Sequence, residues 1–407
     1  MYDSIKIGTI KKTLMKHNVF LPLLYSVLIA GTQSYASVDY HDGNVNGYNF
    51  TDSSYDSDDF SYSNFSGVSA EATTFSSLSI KRNYSESNFS SANLKEALFD
   101  YAYLTNVNFA NANLYDAYFI SAVLSGADFS GANVQRVDFT NTTQSGFTAN
   151  QLYSTATYAQ GNLQYMSFQS NTMTDWKFSG KDLTRTDFSL ASLVNSDFRN
   201  ATLTNSIFYY SDLSGVDFRG STGLSYGSST TTNTVLADGS IAGGSLNLSG
   251  SASSFIVRPS DTAAISVTAS GSVANGASLV YRDISDSAQN AKIVVSGAGV
   301  ELNLSQANID IYFMEDYAPL DSTFITLAES TDGATIVISG LGNSNIRLFN
   351  YDGSQFEGSW KLSASEDLVG VSISIPESSM WSVFPLLATI CAFILYRMYG
   401  AFPNSKQ

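Results

Sequence analysis

The chain has a single cysteine, Cys391, in 407 residues, so no intramolecular disulfide can staple it. Histidine is nearly absent too. Of His17 and His41, only His41 follows the N-terminal segment described below, leaving a Ser-His-Asp arrangement one candidate base close to a chain end. Zinc sites draw on clusters of Cys and His, which this composition cannot supply. No Gly-rich stretch has the spacing of a phosphate-cradling loop. Charge is sparse at 14% and unbalanced, with 20 Lys and Arg against 36 Asp and Glu, for a net charge of −16. Phosphates and anionic lipid are repelled by such a chain, so nucleic acid is not an expected partner. These absences point away from an enzyme: no catalytic residue, cofactor or metal site emerges.

What is present is a five-residue period. In one block the centres are Tyr84, Phe89, Leu94, Phe99, Leu104, Phe109, Leu114, Phe119, Leu124, Phe129, Val134 and Phe139. A second block runs from Leu163 to Phe218 and includes Phe188, Leu193, Phe198, Leu203, Phe208, Leu213 and Phe218. Two residues before most centres stands a small residue, such as Ala92, Ala97 or Ala112, with a polar residue between. Small, polar, large is a two-residue alternation, which places two side chains inward and one outward on a very short strand. The remaining two residues turn a corner. Such a unit cannot bury its own apolar face, so the repeat specifies a solenoid.

Ala112-Asn113-Leu114, Ala127-Asp128-Phe129 and Val216-Asp217-Phe218 resemble the pentapeptide-repeat family. That resemblance implies a right-handed, four-sided β-helix of about twenty residues per coil. The alternation of Phe and Leu gives a ten-residue period that divides twenty, so Phe89, Phe109 and Phe129 are expected to form one internal ladder and Leu94, Leu114 and Val134 another. Asn93, Asn113 and Asn133 fall on the outside at the same spacing, where stacked amides can hydrogen-bond along the axis. Six regular coils at about 4.8 Å give a rod of about 29 Å.

Upstream, residues 37–83 keep the step in degenerate form at Phe50, Tyr55, Phe60, Phe65, Phe75 and Ile80. The step from Ile80 to Tyr84 is four, as though one residue were missing. Between Phe139 and Leu163 the step is not a multiple of five, and the segment at about 144–160, with a short helical turn near Phe147 to Tyr153, is expected to bulge from the rod as a tolerated insertion. The rod region is thus 84–223. A Ser/Thr/Gly-rich stretch over 224–234 reads as a linker. Residues 235–375 follow as a β-rich domain, with candidate strands at 254–257, 264–267, 292–295, 300–304, 309–313, 324–327, 334–338 and 369–373. Their spacing suits a sandwich or an irregular β-solenoid.

Both ends read as targeting segments. Residues 1–36 look like a secretory signal peptide: Lys6, Lys11, Lys12 and Lys16 precede an apolar run from Val19 to Ala30, and Ser34-Tyr35-Ala36 offers a small-x-small site for signal peptidase between Ala36 and Ser37. Removing that segment, which carries a net +3, leaves −19 on the mature chain. At the other end, over 376–407, Pro376-Glu377-Ser378 precedes an apolar segment from Met380 to Tyr396 and then Arg397. This resembles the PEP-CTERM sorting signal, which addresses exported bacterial proteins to exosortase. Ser378 stands where the family has Pro, and Arg397 and Lys406 are the tail's only positive charges. The alternative is a plain single-pass anchor, and either reading gives terminal hydrophobic helices and a membrane contact.

Outward carboxylates recur at Asp182, Asp187, Asp197, Asp212 and Asp217, with Asp197 one coil from Asp217. A solvated acidic face explains them, weak Ca²⁺ binding being the alternative. The combined expectation is an exported, non-catalytic structural or interaction protein of the cell envelope or extracellular matrix, which meets polysaccharide or surface proteins along its rod. A carbohydrate- or ice-binding surface protein is the alternative, although Thr202-Leu203-Thr204 is an isolated pair. A DNA-mimicking topoisomerase inhibitor, which some acidic members of the family resemble, fits the charge but not the export signal.

Overall fold

The computed structural model describes residues 60–374, apart from 61, 76–81, 250–252, 261, 276, 286–290, 315–318, 320–323, 333, 340, 342, 351, 357–358 and 365–367. The expected terminal helices, signal cleavage site and sorting motif lie outside the described residues, as do Phe50, Tyr55 and Ile80. Among the described residues no helix is long and apolar enough to cross a membrane.

From Phe60 to Phe218 the chain winds as stacked coils. Single-residue parallel bridges join Asn88 to Asn108, Asn93 to Asn113 and Asn108 to Asp128, each pair one coil apart. The backbone bonds are short: Phe89 N donates to Asn108 O at 2.7 Å, and Asn108 N to Ser87 O at 3.0 Å. At each corner a turn closes, as where Ala112 N donates to Phe109 O at 3.0 Å, and the residue before the closing donor is left-handed, as at Asn111 with φ 59°. Asn and Gly tolerate that conformation best, which accounts for Asn106, Asn111, Gly126 and Gly131 at successive corners.

Every repeat centre from Phe89 to Phe129 and from Phe188 to Phe218 is at most 1% exposed. The Phe ladder forms as its period requires, with Phe109 stacked 5.4 Å from Phe89 and 5.2 Å from Phe129. A second ladder, Phe99, Phe119 and Phe139, meets the first edge to face, as at Phe109 and Phe119. The outer amides also form their ladder: Asn113 Nδ2 donates to Asn93 Oδ1 at 2.9 Å, and Asn133 Nδ2 to Asn113 Oδ1 at 3.0 Å. In the second block the small inward position is often Ser or Thr, and each hydroxyl finds a carbonyl on the preceding coil. Thr186 Oγ1 donates to Leu163 O at 2.7 Å and Ser196 Oγ to Met173 O at 2.6 Å, which offsets the cost of burying them.

Three sequence expectations need correction. First, the coil below Tyr84 is longer than the rest, not one residue short: Asn64 bridges Asn88 and Thr74 bridges Leu98, both 24 residues on, whereas Asn83 bridges Tyr103 at 20. Ring still meets ring, with Phe65 4.4 Å from Phe89. Second, the interruption packs into the rod. Asp138 bridges Ser167, 29 residues on, so the segment lengthens one coil without changing its faces. Within it a 3-10 turn at Thr143–Ser145 leads to two short helices, α1 (Ala149–Tyr153) and α2 (Ala156–Ala159). Phe147 stacks 4.4 Å from Phe139, Leu152 is buried, and Gln151 Nε2 donates to Leu124 O and Ala127 O at 2.8 Å, replacing the missing strand partner. Third, 224–234 is no linker. Thr230 bridges Asp212 and Val235 bridges Asp217, while buried Thr234 donates to Leu213 O at 2.7 Å, so hydroxyl-rich composition here serves a further coil.

Beyond Val235 the strands assemble into three sheets. One contains β1 (Ser245–Leu248), β4 (Ala269–Val273), β7 (Glu301–Asn303) and β10 (Thr335–Val337), all parallel. The next contains β2 (Ser254–Val257), β5 (Ser278–Ile284), β8 (Asn308–Phe313) and β11 (Ile346–Phe349), also parallel. The third runs parallel through β3 (Ile265–Val267), β6 (Ile293–Ser296) and β9 (Phe324–Thr331), and then closes with the antiparallel pair β13 (Leu368–Ser374) and β12 (Ser359–Ala364). Each turn of chain therefore adds one strand to each sheet, which is a solenoid; a sandwich is excluded because its sheets are antiparallel. All eight candidate strands are present. β4, Ala-Ser-Gly-Ser-Val, offers no apolar alternation to find, whereas β5 with Leu279-Val280-Tyr281 does.

Because Phe109 touches rings on both neighbouring coils, Phe109→Ala is expected to cost about 3–5 kcal/mol. Chemical denaturation of the two proteins checks this, and a loss below about 1 kcal/mol would mean that the ladder does not support the rod.

Candidate functional site

Two side-chain groupings stand out from the regular rod. The first lies where the rod meets the second solenoid. Asp197-Phe198-Arg199 and Asp217-Phe218-Arg219 repeat the same three residues one coil apart. In each, the guanidinium forks back onto its own aspartate: Arg199 Nε and Nη2 reach Asp197 at 2.9 and 2.7 Å, and Arg219 Nε and Nη2 reach Asp217 at 3.0 and 2.7 Å. The remaining nitrogens cross the seam. Arg219 donates to Ala263 O at 2.9 Å and Arg258 O at 2.6 Å, Arg199 donates to Pro259 O, and Arg258 Nη2 donates back to Asn195 O at 3.0 Å. Asp197, Asp217, Arg219 and Arg258 are all buried. The expected solvated acidic face is thus corrected at these two positions, whose oxygens are held by guanidinium donors; the Arg two residues after each Asp was the signal. Among the described residues no cluster of three or more His, Cys, Asp or Glu could hold a metal ion.

Burial alone raises the Asp197 pKa, but hydrogen bonds from Arg199 and the charges of Arg258 and Arg199 outweigh it and hold the carboxyl below its ordinary value. A depressed pKa contributes stability that is present above the unfolded value of about 3.9 and lost as pH falls below it toward the folded value.

The second grouping is on the surface. Asp116, Arg136, Tyr165 and Arg185 occupy the left-handed corner position of successive coils, and so stand in one column. The Arg136 guanidinium carbon lies 5.7 Å from the Tyr115 ring centre and 5.2 Å from that of Tyr165, with Arg185 5.5 Å from Tyr165 on its other flank. Cation–π attraction holds this stack. Arg136 Nη2 is 3.4 Å from Asp116 Oδ2. Beside it a hollow of about 160 Å³ is lined by Tyr115, Gln135, Arg136, Asn162, Gln164 and Tyr165. Asn162 and Gln164 arrive there because the interruption returns the chain to register just before them. Gln164 Nε2 donates to Asp182 Oδ2, so one of the outward carboxylates supports the hollow's wall. On another corner Leu190 and Tyr210, with Tyr209 and Ile207, form an exposed apolar cluster. The sequence reading singled out none of these corner residues, because its period marks inward positions.

Removing one member of the seam strands a buried charge, so Arg219→Met is expected to cost about 3–5 kcal/mol. Equilibrium denaturation checks it, and a neutral outcome would show that Asp217 finds other donors. The thermal midpoint of the native protein is expected to fall as pH drops below about 4, with a smaller fall in Asp197→Asn. Identical pH profiles for the two would refute the seam's part in acid sensitivity.

The comparisons with known proteins address the repeat. Residues 87–126, 102–141 and 182–220 match the family model described as pentapeptide repeats, in 8 copies. Among solved structures, the chain is similar to HetL, a pentapeptide repeat protein involved in heterocyst differentiation regulation from the cyanobacterium Nostoc sp. strain PCC 7120, at 18% identity over 59% of this chain and 100% of that one, with a TM-score of 0.23. It is also similar to QnrB1, a plasmid-mediated fluoroquinolone resistance protein, at 19% identity over 46% and 79% of the two chains and a TM-score of 0.17. Rfr23, a pentapeptide repeat protein from the cyanobacterium Cyanothece 51142, shows 20% identity over 30% and 64%, with a TM-score of 0.18. No curated protein matches the chain. The coil from Phe60 to Phe218, with its five-residue corners and stacked centres, is a pentapeptide-repeat β-helix, and the chain is a pentapeptide-repeat protein.

Proposed function

We propose that this chain is an exported, non-catalytic structural and interaction protein of the bacterial cell envelope or extracellular matrix. The observation that carries the reading is the pairing of two end segments with a stacked body between them. Lys6 to Ala36 has the composition of a cleaved signal, and Pro376 to Arg397 that of a PEP-CTERM-like sorting or anchoring segment. Exosortase or a plain membrane anchor then holds the body outside the cytoplasm. Stacked coils suit a spacer, since every backbone bond along the axis must lengthen before the rod can. The polar, weakly charged surface and the exposed corners at Tyr165 and Tyr210 suit contact with polysaccharide or other surface proteins. Ice binding has less support: Thr202 stacks on Thr222 but on Asp182 below, so the threonine column is two residues long.

Expression of the full-length gene in a bacterium that has an exosortase, followed by cell fractionation and mass spectrometry of both termini, tests the proposal. The expected product begins at Ser37 and ends near Pro376. An intact tail in the membrane fraction would replace sorting with plain anchoring. Full-length protein in the cytoplasm would overturn the proposal.

A further inference from the structure

The hollow beside Arg136 has a composition that the rod itself does not require. A purely structural cation–π stack excludes water, yet Arg136 is 41% exposed at its side chain and Tyr165 is 42% exposed. Around them are three carboxamides, Gln135, Asn162 and Gln164, which carry donors and acceptors together. The two tyrosines add ring surface that packs against C–H groups. At about 160 Å³ the space is smaller than the roughly 300–1,000 Å³ of small-molecule pockets, and it is open to solvent, so it suits one ring of a longer chain that continues past it. Arg136 supplies the charge. Its contact with Asp116 spans 3.4 Å, too long for a two-pronged ion pair, and two rings hold the planar guanidinium at the edge of the hollow.

From this juxtaposition we infer that the Tyr115–Arg136–Tyr165 hollow binds a single uronic acid unit of an acidic polysaccharide. The guanidinium takes the carboxylate, the carboxamides take neighbouring hydroxyls, and the tyrosines take the C–H edge of the sugar ring. This inference rests on the envelope or matrix reading for its biological setting, but its chemistry stands apart from location. Binding by one unit is weak, and it gains strength when many rods meet many units of one polymer.

The protein as isolated from the exporting host is titrated with an oligogalacturonate and with a neutral glucan oligomer of equal length, by calorimetry or NMR. The oligogalacturonate is expected to bind about tenfold or more tightly than the glucan, and less tightly as salt rises. Arg136→Lys keeps the charge but loses the fork, and is expected to weaken uronate binding about fivefold or more. Tyr165→Leu is a second probe. Tyr165 is left-handed with φ 61°, a conformation that Leu190 already adopts at φ 60°, so the fold tolerates the change while the ring is lost. Equal affinity for the two oligomers, no binding of either, or wild-type affinity in both variants would overturn the site. Export without uronate binding removes this inference alone, whereas uronate binding by a chain that stays in the cytoplasm removes the location and leaves the site.

Discussion

Hydrogen bonds between successive coils set the spacing of everything else in this protein. They run parallel to the axis at about 2.7–3.0 Å, and they force each inward side chain to rest on its equivalent one coil below. A ladder of flat rings tolerates that spacing well, because stacked phenyl rings at 4.4–5.5 Å fill the interior without gaps. The facing ladder supplies edge-to-face contacts, so the core is fixed in two directions at once. Apolar contact alone would not hold coils in register; the backbone bonds do so, and the rings fill the volume that the bonds define.

The same constraint explains which irregularities survive. Coils of 20, 24 and 29 residues coexist because the extra residues leave every face aligned, as Asp138 over Ser167 and Thr74 over Leu98 demonstrate. What a longer coil must do is satisfy the backbone groups it exposes. Gln151 bonds two carbonyls of the coil below, and Asn171 accepts from Thr142 N and Thr143 N while donating to Phe139 O. Side-chain amides thereby replace the strand bonds that the helices cannot make. A further consequence appears at the surface, where the chain re-enters register at Asn162 and Gln164 and completes the hollow beside Arg136.

At the seam the core changes character. Apolar packing is divided into one cluster that ends at Phe218 and another that begins at Val235, and between them the two Asp-Phe-Arg units bind backbone carbonyls of the second solenoid. Buried ion pairs add little net stability compared with apolar packing, but their directional bonds accept only one docking geometry. Joining a coil of five-residue sides to one with longer strands needs such specification, since ring stacking cannot continue across it.

The five-residue period by itself determined the coil, its inward residues, the alternation of Phe and Leu ladders and the Asn93–Asn113–Asn133 column, because each depends only on spacing along the chain and on the identity of a residue at that spacing. The strands of the second solenoid were legible wherever apolar residues alternated, as in β8, and illegible in β4, where Gly and Ser pair through backbone alone. Tertiary structure decided the rest. It made a coil of the Ser/Thr-rich 224–234 segment, since buried hydroxyls bonded to carbonyls are invisible in composition. It buried Asp197 and Asp217, since their arginine partners matter only once Pro259 and Ala263 lie beside them. It also built the corner column, because Tyr115, Arg136 and Tyr165 belong to three different coils, and only winding places them side by side.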